Sequence, residues 1–421
     1  MRIIGNRTLP AVRSASKYCP AQTVGRLFRT GGNGCMSDRR DDVMRVLSAY
    51  QLKDYGIKGP SLAESFARRQ ASCLVVGLRN SDKSGVLLQL LDTQEGVNQL
   101  ITGMESAALL LGAGKKIFYI PEYAIHVKER IETFVSAAGI EVRIGLIDVR
   151  EHEDSVICHL VTMLEIADCL EGTYEESIYV SVNGGSLKRV SPDTSVGDLT
   201  GTKKGKGVLI GNRIYDNHAL EMNLDESELD NGMVQILGEN DCMIRLVEKD
   251  LLENRERSCG KCVFCREGLL QLHAMYKDTA EGKGKNDYPE LIREIGLAMK
   301  HGCLCSLGQN GAQPALGVLE HFSNEYMAHN KRKKCPAGVC FLKSVIYIDP
   351  VLCTGCMECL DRCRAGCIEG KSGYIHMIDS TECTGCRACM EICKADAIVE
   401  TEGKLPKLPE RLVKCGKFKK R

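Results

Sequence analysis

The chain has 421 residues, a formal net charge of +1 and 23 cysteines. Its length suggests roughly two to four domains, and its nearly balanced charge gives no reason to expect nucleic acid or a membrane surface as a partner. No apolar run approaches the roughly 18 residues that a membrane-spanning helix needs. We therefore expect a multidomain chain without a membrane span.

Residues 1–45 are predicted to lie outside the fold. The first 37 contain six basic residues and no acid, a bias typical of an organellar transit peptide. Alternatively, translation starts at Met36, where "MSDRRDDVMRVLSAYQL" reads as a polar opening that leads into a helix. In either case, this segment is interpreted as a disordered leader or an incorrectly assigned start.

Residues 46–175 alternate short apolar runs with amphipathic stretches. The runs "CLVVGL" and "KIFYIP" are separated by the helical pattern "GVNQLITGMESAALLLGA". Strands that alternate with amphipathic helices predict an α/β domain with a mainly parallel sheet. Residues 176–239 differ, because "SIYVSVNGGSLKRV" gives two short strands around an Asn-Gly-Gly turn. This hairpin pattern predicts a small β-rich module.

Residues 240–330 read as helical, interrupted by cysteines. In "SCGKCVFCREG", Cys259, Cys262 and Cys265 are spaced so that their sulfurs can bind three corners of one tetrahedral site. The fourth ligand must come from elsewhere in the chain, and "HGCLCSLGQ" offers Cys303 and Cys305.

The cysteines are concentrated in the second half of the chain, with eighteen of the 23 at or after Cys242. Crowding in CxxC-type arrays, in a chain that is neither short nor led by a signal peptide, favours thiolate ligation of metals over disulfides. That chemistry needs a reducing compartment, the cytoplasm or an organelle matrix. We expect a cytoplasmic protein.

Residues 331–347 form a basic connector with a candidate metal site. In "HNKRKKCPAGVC", His329, Cys335 and Cys340 have zinc-ligand spacing, and Cys242 is the candidate fourth ligand. The alternative is a reduced thiol pair on a flexible hinge.

Residues 348–402 contain an internal repeat with an offset of 30 residues, since "IDPVLCTGCMECLDRCRAGCIEG" lies over "IDSTECTGCRACMEICKADAIVE". Two-cluster ferredoxins arise by such a duplication, and three cysteines of one half with the last of the other hold each [4Fe–4S] cluster. The alternative, structural zinc, rarely uses two interleaved CxxCxxCxxxC runs. The predicted sets are Cys353, Cys356, Cys359 with Cys393, and Cys383, Cys386, Cys389 with Cys363.

Residues 403–421 are a basic tail. The cysteines outside these arrays are predicted to bind no metal: Cys19, Cys35, Cys73, Cys158, Cys169, Cys367 and Cys415.

The stretch "SCGKCVFCREG", with "CSLGQNGAQPALGVLEHFSNEYMAHN" behind it, resembles the flavin-carrying, NADH-oxidising subunit of respiratory complex I and of electron-bifurcating [FeFe]-hydrogenases. The resemblance runs from about Tyr55 to Val399. It implies a Rossmann-like α/β domain, a β-grasp module, a helical [4Fe–4S] bundle and, as in the hydrogenase branch, an appended two-cluster ferredoxin domain. In that family the fourth ligand lies in a C-x-L-G sequence. This match implies that Cys305, rather than Cys303, completes the set of Cys259, Cys262 and Cys265.

The flavin-binding sequences of that family are altered here. Its G-L-R-G-R-G-G-A-G-F stretch reads "GIKGPSLAES", so three glycines are replaced by Ser61, Leu62 and Glu64. Side chains at these positions would restrict the close backbone approach that a flavin phosphate needs, and Glu64 adds an anion. The Gly-Glu-Glu-Thr segment is not found, and an acidic Asn-x-Asp-Glu stretch has become Leu78, Asn80 and Ser81. FMN and NAD are therefore expected to be absent.

Three functions fit these features. The first is an iron–sulfur relay and scaffold subunit of a multisubunit oxidoreductase, with three [4Fe–4S] clusters and no substrate chemistry of its own. The second is a working FMN-dependent NADH dehydrogenase subunit of a hydrogenase or bifurcating complex. The third is a sensor whose clusters report oxygen or iron, although no DNA-binding or effector element is visible. We favour the first, with flavoprotein, hydrogenase-like or dehydrogenase subunits as partners.

Overall fold

The computed structural model describes residues 36–340, 345–380, 382–383, 385–401, 405–409 and 411–418. The chain divides into two compact units, Met1–Lys331 and Arg332–Arg421. Most of the predicted leader, with Cys19 and Cys35, and parts of the predicted basic tail lie outside the described residues. Within the described part, no helix is long and apolar enough to cross a membrane.

The first unit begins with a four-stranded, fully parallel sheet in the order β3-β2-β1-β4. All five residues of β1 are buried, as expected for the central strand of a parallel sheet that is covered on both faces. The predicted mainly parallel α/β arrangement is confirmed. The strands are β1 Cys73–Gly77, β2 Lys115–Ile120, β3 Ile140–Ile144 and β4 Ser155–His159.

Five α-helices accompany this sheet: α1 Met36–Tyr50, α2 Leu62–Ala67, α3 Gln94–Leu111, α4 Ile125–Ala137 and α5 Leu160–Glu171. Helices α3 and α5 pack so closely that a Cβ atom on Gly103 would lie 2.0 Å from the Met163 carbonyl oxygen. Helix α1 begins inside the segment predicted to be a leader, and it buries Val43, Val46 and Leu47 in the core. Residues 36–45 therefore belong to the fold, because these apolar side chains recur at helical spacing.

A second sheet of five strands follows in the order β6-β5-β9-β7-β8. Its first hairpin is the predicted one, with Ile178 opposite Val190. Asn183 and Gly184 have φ angles of 50° and 73°, which the tight turn requires. The elements are β5 Ile178–Val182, β6 Lys188–Val190, α6 Val196–Thr200, β7 Gly207–Ile210, β8 Arg213–Asp216 and β9 Met233–Leu237.

The remainder of the first unit is helical, as predicted. Tyr276 is fully buried there and donates its hydroxyl to the Ala315 carbonyl at 2.8 Å, which ties two helices together. The helices are α7 Met243–Arg257, α8 Val263–Ala280, α9 Tyr288–Gly302, α10 Ser306–Asn310, α11 Gln313–His321 and α12 Ser323–Arg332.

The second unit reflects the internal repeat. The first strand of one half pairs with the last strand of the other, and the two inner strands pair with each other. These pairings place the last strand of each half beside the first strand of the other half. The elements are β10 Val345–Ile348, α13 Glu358–Arg362, β11 Ile368–Glu369, β12 Met377–Ile378, α14 Ala388–Ile392 and β13 Ile398–Thr401.

Candidate iron–sulfur centres and the adjoining cavity

The helical part of the first unit brings the predicted cluster thiols together. Gly260 has a φ of +72°, which lets the chain turn sharply between α7 and α8. The Ser258 hydroxyl accepts the Gly260 N–H at 3.2 Å and lies 3.4 Å from Cys265 Sγ. Burial raises the pKa of Cys265, and the charges of nearby Cys305, Cys259 and Cys262 raise it further.

Cys303 lies in the same place. It is 5 % exposed, and burial together with the charges of nearby Cys265, Cys262 and Cys305 raises the pKa of its thiol to about 12. The structure thus places five thiols at this centre, one more than a four-iron cluster takes. The geometry does not choose between Cys303 and Cys305, and the choice of Cys305 stays a prediction. Four thiolate donors from one turn and one neighbouring loop fit a [4Fe–4S] cluster.

The loop after β3 in the α/β part holds the cysteine turn. Arg150 Nη2 donates to the Lys261 carbonyl at 3.1 Å and lies 4.0 Å from Cys262 Sγ. Lys261 forms an ion pair with Asp148, and this ammonium lowers the pKa of the Asp148 carboxyl. Neither contact was visible in the sequence, because more than 100 residues separate the partners.

The first predicted ferredoxin set is assembled in the second unit. Burial raises the pKa of Cys359 to about 11, and the charges of Cys353, Cys356 and Cys393 contribute to that rise. The three partners are the ones predicted from the repeat. His376 is 1 % exposed, and its Nδ1 lies 3.7 Å from Cys353 Sγ. Cys415, which was interpreted as isolated, packs against the buried cluster that contains Cys353.

The second predicted set is assembled in the same way. Burial raises the pKa of Cys389, and the charges of Cys383, Cys363 and Cys386 contribute. Cys367 Sγ lies 3.4 Å from Cys363 Sγ. Each set offers four sulfurs at short range, which fits one [4Fe–4S] cluster.

The candidate zinc ligands are all buried. In the first unit, Cys242 Sγ lies 3.3 Å from His329 Nε2, and His329 Nδ1 lies 2.9 Å from the Glu325 carbonyl oxygen. A carbonyl on Nδ1 is the contact that leaves Nε2 available as a metal ligand. In the second unit, Cys335 and Cys340 have their sulfurs within 4.8 Å of each other.

A cavity of 1080 Å³ adjoins the helical cluster centre in the first unit. It is lined by Gly77 and Cys158 at the carboxyl ends of β1 and β4, and by Leu304 and Cys305. The chain proceeds from β1 outward to β2 on one side, whereas β4 lies on the other side. The cavity therefore lies at the switch point where open α/β sheets bind ligands.

The polar groups at this end of the sheet bind one another. Asp54 forms a salt bridge with Arg79 at 2.6 Å. Asp54 Oδ1 also accepts the His159 N–H at 2.8 Å and the Thr162 hydroxyl at 2.7 Å. Arg79 donates a further bond to the Tyr55 carbonyl at 3.1 Å. These groups have few bonds left to offer a ligand.

The charge of the cavity lining is mainly acidic. Six carboxyl groups and four cationic side chains line it. Of the cations, Arg79 pairs with Asp54 and Arg213 pairs with Glu320 at 2.8 Å. Burial raises the pKa of the Asp230 carboxyl to about 6, which Arg79 partly offsets. This lining is unfavourable for a phosphate.

The three residues that replace family glycines do not act as predicted. Ser61, Leu62 and Glu64 are absent from the cavity lining, which takes Gly56–Gly59 from this loop. Leu62 is in the hydrophobic core and Glu64 is exposed, because α2 begins here and turns these positions away. The Ser61 hydroxyl accepts the Glu64 N–H at 3.3 Å, so it caps a helix of six residues.

Asn80 separates this cavity from a second one. Its side chain donates to the Ile147 carbonyl at 2.8 Å and accepts the Ile147 N–H at 2.9 Å. The second cavity measures 880 Å³. The residues that line both cavities, and so form the wall between them, are Asn80, Ile147, Val149, Leu304 and Cys305.

Leu78 and Ser81, the other residues altered in the acidic stretch of the family, also take part in packing or hydrogen bonding. Leu78 is 4 % exposed and packs in the core. The Ser81 N–H donates to the Ser306 hydroxyl at 3.2 Å, and Asn310 donates to the Ser81 hydroxyl at 3.3 Å. They join the sheet to the loop that carries Cys305.

Two segments match known protein families. Residues 252–329 match the NADH-ubiquinone oxidoreductase-F iron-sulfur binding region. Residues 376–399 match the 4Fe-4S binding domain. The chain therefore carries iron–sulfur binding regions, and the family resemblance seen in the sequence is confirmed.

Curated relatives match over part of their length. The chain is 36% identical to the NADP-reducing hydrogenase subunit HndC of Solidesulfovibrio fructosivorans over 151 residues, which are 36% of this chain and 31% of that protein. It is 31% identical to an NADH-quinone oxidoreductase subunit of Mycobacterium bovis over 103 residues, 24% of this chain and 23% of that protein. The matched segments thus span less than a third of these relatives.

A solved structure shares the fold. An NAD+-reducing [NiFe]-hydrogenase in the air-oxidized state superposes with a TM-score of 0.60 and 16% identity, and covers 74% of this chain and 65% of the hydrogenase chain. At this identity the likeness concerns the fold alone.

Proposed function

We propose that the chain is an iron–sulfur electron-transfer and scaffold subunit of a multisubunit oxidoreductase, which relays electrons through three [4Fe–4S] clusters. It has no flavin or NADH site of its own and performs no substrate chemistry alone. One observation carries this proposal: three thiol-rich centres accompany a cavity at the sheet end in which Asp54 and Arg79 are paired with each other. Its partners are other redox subunits, and the thiolate chemistry suits a reducing compartment such as the cytoplasm.

The domain assignment proposed with this function follows the boundaries predicted from the sequence. Residues 46–175 are a degenerate flavin-type α/β domain, 176–239 a β-grasp module and 240–330 the helical cluster domain. The strand order of the five-stranded sheet supports the second assignment, because a parallel pair lies between two hairpins. Residues 348–402 are the two-cluster ferredoxin domain.

Twelve cysteines would hold the clusters, four for each. A bound cluster supplies one-electron transfer. The protein positions the sulfurs, and the contacts of Arg150 and Asp148 with the loop at Lys261 fix the first turn of the helical site. The sets are Cys259, Cys262, Cys265 and Cys305; Cys353, Cys356, Cys359 and Cys393; Cys383, Cys386, Cys389 and Cys363.

The absence of flavin is argued from the donors that a phosphate needs. Backbone N–H groups and free cations bind phosphate in such sites. Here Arg79 is held by Asp54, and Arg213 is held by Glu320.

The size of the cavity supports a second candidate function. A volume of 1080 Å³ beside Cys305 could accommodate a flavin ring at electron-transfer distance from the helical centre. The alternative is therefore an FMN-dependent NADH dehydrogenase subunit of a hydrogenase or bifurcating complex, with a rebuilt pocket.

We also propose one zinc ion per chain, held by Cys242, His329, Cys335 and Cys340. Within the first unit, the short Cys242–His329 distance supports a metal with nitrogen and sulfur ligands. Metal analysis of protein with its full iron content should find about one zinc per chain. Iron-loaded protein without zinc would rule the site out.

Flavin and NADH binding decide between the two functions. The chain, purified anaerobically with its clusters, should release no flavin in acid and should oxidise no NADH with artificial dyes. About one flavin per chain would instead favour the FMN-dependent NADH dehydrogenase function. The subunits that co-purify with the chain would identify its electron donor and acceptor.

A further inference from the structure

Two carboxyl groups that line the 1080 Å³ cavity lack a partner. Glu165 on α5 is 8 % exposed and makes no hydrogen bond or ion pair with any residue that the structure describes. Asp230, in the loop before β9, is 9 % exposed, and its Oδ1 atom is buried without a hydrogen-bond partner. Buried carboxyl groups are normally hydrogen-bonded or paired with a cation. Two exceptions in one cavity point to a ligand that supplies the partner.

Close packing fixes the backbone beside both carboxyls. Glu165 follows Met163, whose carbonyl oxygen would lie 2.0 Å from a Cβ atom on Gly103 of α3. A Cβ atom on Gly56 would lie 2.4 Å from the Cβ of Asp230. Gly56 has a φ of +72°, a conformation that also favours glycine. Because their backbone is confined in this way, neither carboxyl can move to a partner elsewhere in the chain.

The cationic side chains that the structure places in this lining are engaged elsewhere. The two arginines are paired with other carboxylates, and the two lysines, Lys53 and Lys58, are exposed. Burial raises the pKa of Glu165 well above its ordinary value, and the charge of Asp54 raises it further, although Arg189 opposes the rise. A cation bound beside this carboxyl would favour its charged form.

The rest of the lining suits an organic cation. Tyr50, at the end of α1, and Tyr174, just after α5, meet edge to face with their ring centroids 5.4 Å apart. An aromatic face attracts a cation, and the ring packs against methylene groups. A volume of 1080 Å³ is far larger than a metal ion needs. The exposed acids of the lining outnumber its exposed lysines, and they are Glu176, Asp225 and Glu228.

We propose that this cavity binds an organic cation with two or more amino groups. Glu165 and Asp230 accept hydrogen bonds from its ammonium groups, and the tyrosine rings contact the methylene chain between them. The site lies in the cavity that a flavin would need, and it reverses the charge of the ligand. It does not depend on cluster binding.

The test is a calorimetric titration of spermidine, a linear polyamine, into the full-length chain purified anaerobically. About one spermidine per chain should bind. Glu165→Gln and Asp230→Asn keep the size of the side chain and remove its charge, and each should weaken binding about tenfold through the loss of one charge-assisted hydrogen bond. Both variants should fold, because each removes a buried charge that has no partner. Glu129→Gln, an exposed acid on α4, is the matched control and should leave binding unaltered.

Three results would overturn this inference. The first is that the unsubstituted chain does not bind spermidine. The second is equal binding by the two cavity variants and the Glu129→Gln control, which would show a general attraction of surface acids for polyamines. The third is displacement of spermidine by Mg²⁺, titrated in the same way, which would assign the carboxyls to a metal ion. Iron content and acid-released flavin, measured in the same samples, test the proposed function separately.

Discussion

The cavity at the sheet end and the cysteine centres differ in the partners of their polar groups. At the cavity, Asp54 forms a salt bridge with Arg79, and the Asn80 side chain bonds to the Ile147 backbone. At the centres, the thiols of several segments lie near one another. Buried polar groups need partners. Polar groups that bond to one another, as at the cavity, stabilise the fold. Thiols gathered at one place can instead bind a metal cluster together.

This contrast explains how a domain can keep its fold without its ligand. The parallel sheet and its helices are stabilised by apolar burial, and no ligand enters that core. Under the proposed function, the bonds of Asp54 with Arg79, His159 and Thr162 stabilise the sheet end in the absence of a cofactor. The cysteine centres have no such network among the described residues, so their stability should depend on cluster binding.

The largest expected effect is the loss of one whole cluster. Cys305→Ser should reduce iron from about 12 to about 8 per chain, because it removes one of four ligands from the helical set. Cys303→Ser is the matched control and should retain all the iron. Iron analysis of both variants, purified anaerobically, measures the difference. The reverse result would move the fourth ligand to Cys303.

The next effect tests the internal bonding of the cavity. Asp54→Ala should lower the free energy of unfolding by about 3 kcal/mol, because it leaves the largely buried Arg79 without its partner. Glu132→Ala removes an exposed pair with Lys128 in the same domain and should cost about 0.4 kcal/mol. Chemical denaturation followed by circular dichroism measures both. Equal costs would mean that the Asp54 network is not structural.

A smaller effect is expected at the wall between the cavities. Asn80→Ala should cost about 2 kcal/mol, because the Ile147 N–H and carbonyl lose their partner in a buried place. Asn98→Ala, on the exposed face of α3, should cost nothing measurable. The same denaturation experiment compares them. If Asn80→Ala is as mild as its control, water replaces the side chain and the wall is not rigid.

The smallest effect is expected at Glu64. Glu64→Gln should change neither stability nor flavin binding, because this side chain is exposed and does not line the cavity. Acid-released flavin, assayed after incubation with excess FMN, measures the outcome against the unsubstituted chain. If the Glu64→Gln variant bound more flavin than the unsubstituted chain, Glu64 would repel the flavin phosphate, as the sequence predicted.

Local patterns in the sequence determined much of this protein. Alternating apolar runs predicted the parallel sheet, and the Asn-Gly-Gly turn predicted the hairpin of Ile178–Val182 with Lys188–Val190. The duplicated cysteine runs predicted which thiols meet, because strand exchange between the halves follows from the repeat itself. These features depend on neighbours in the chain or on an internal symmetry that the sequence displays.

Only the tertiary structure decided how distant residues meet. It turned Ser61, Leu62 and Glu64 away from the cavity through the start of a short helix. It paired Asp54 with Arg79 and placed Arg150 against the cysteine turn at Lys261. It also packed Cys415, near the end of the chain, against the buried cluster that contains Cys353. Such contacts depend on packing between elements that lie far apart in the chain. No local periodicity or residue spacing therefore predicts them.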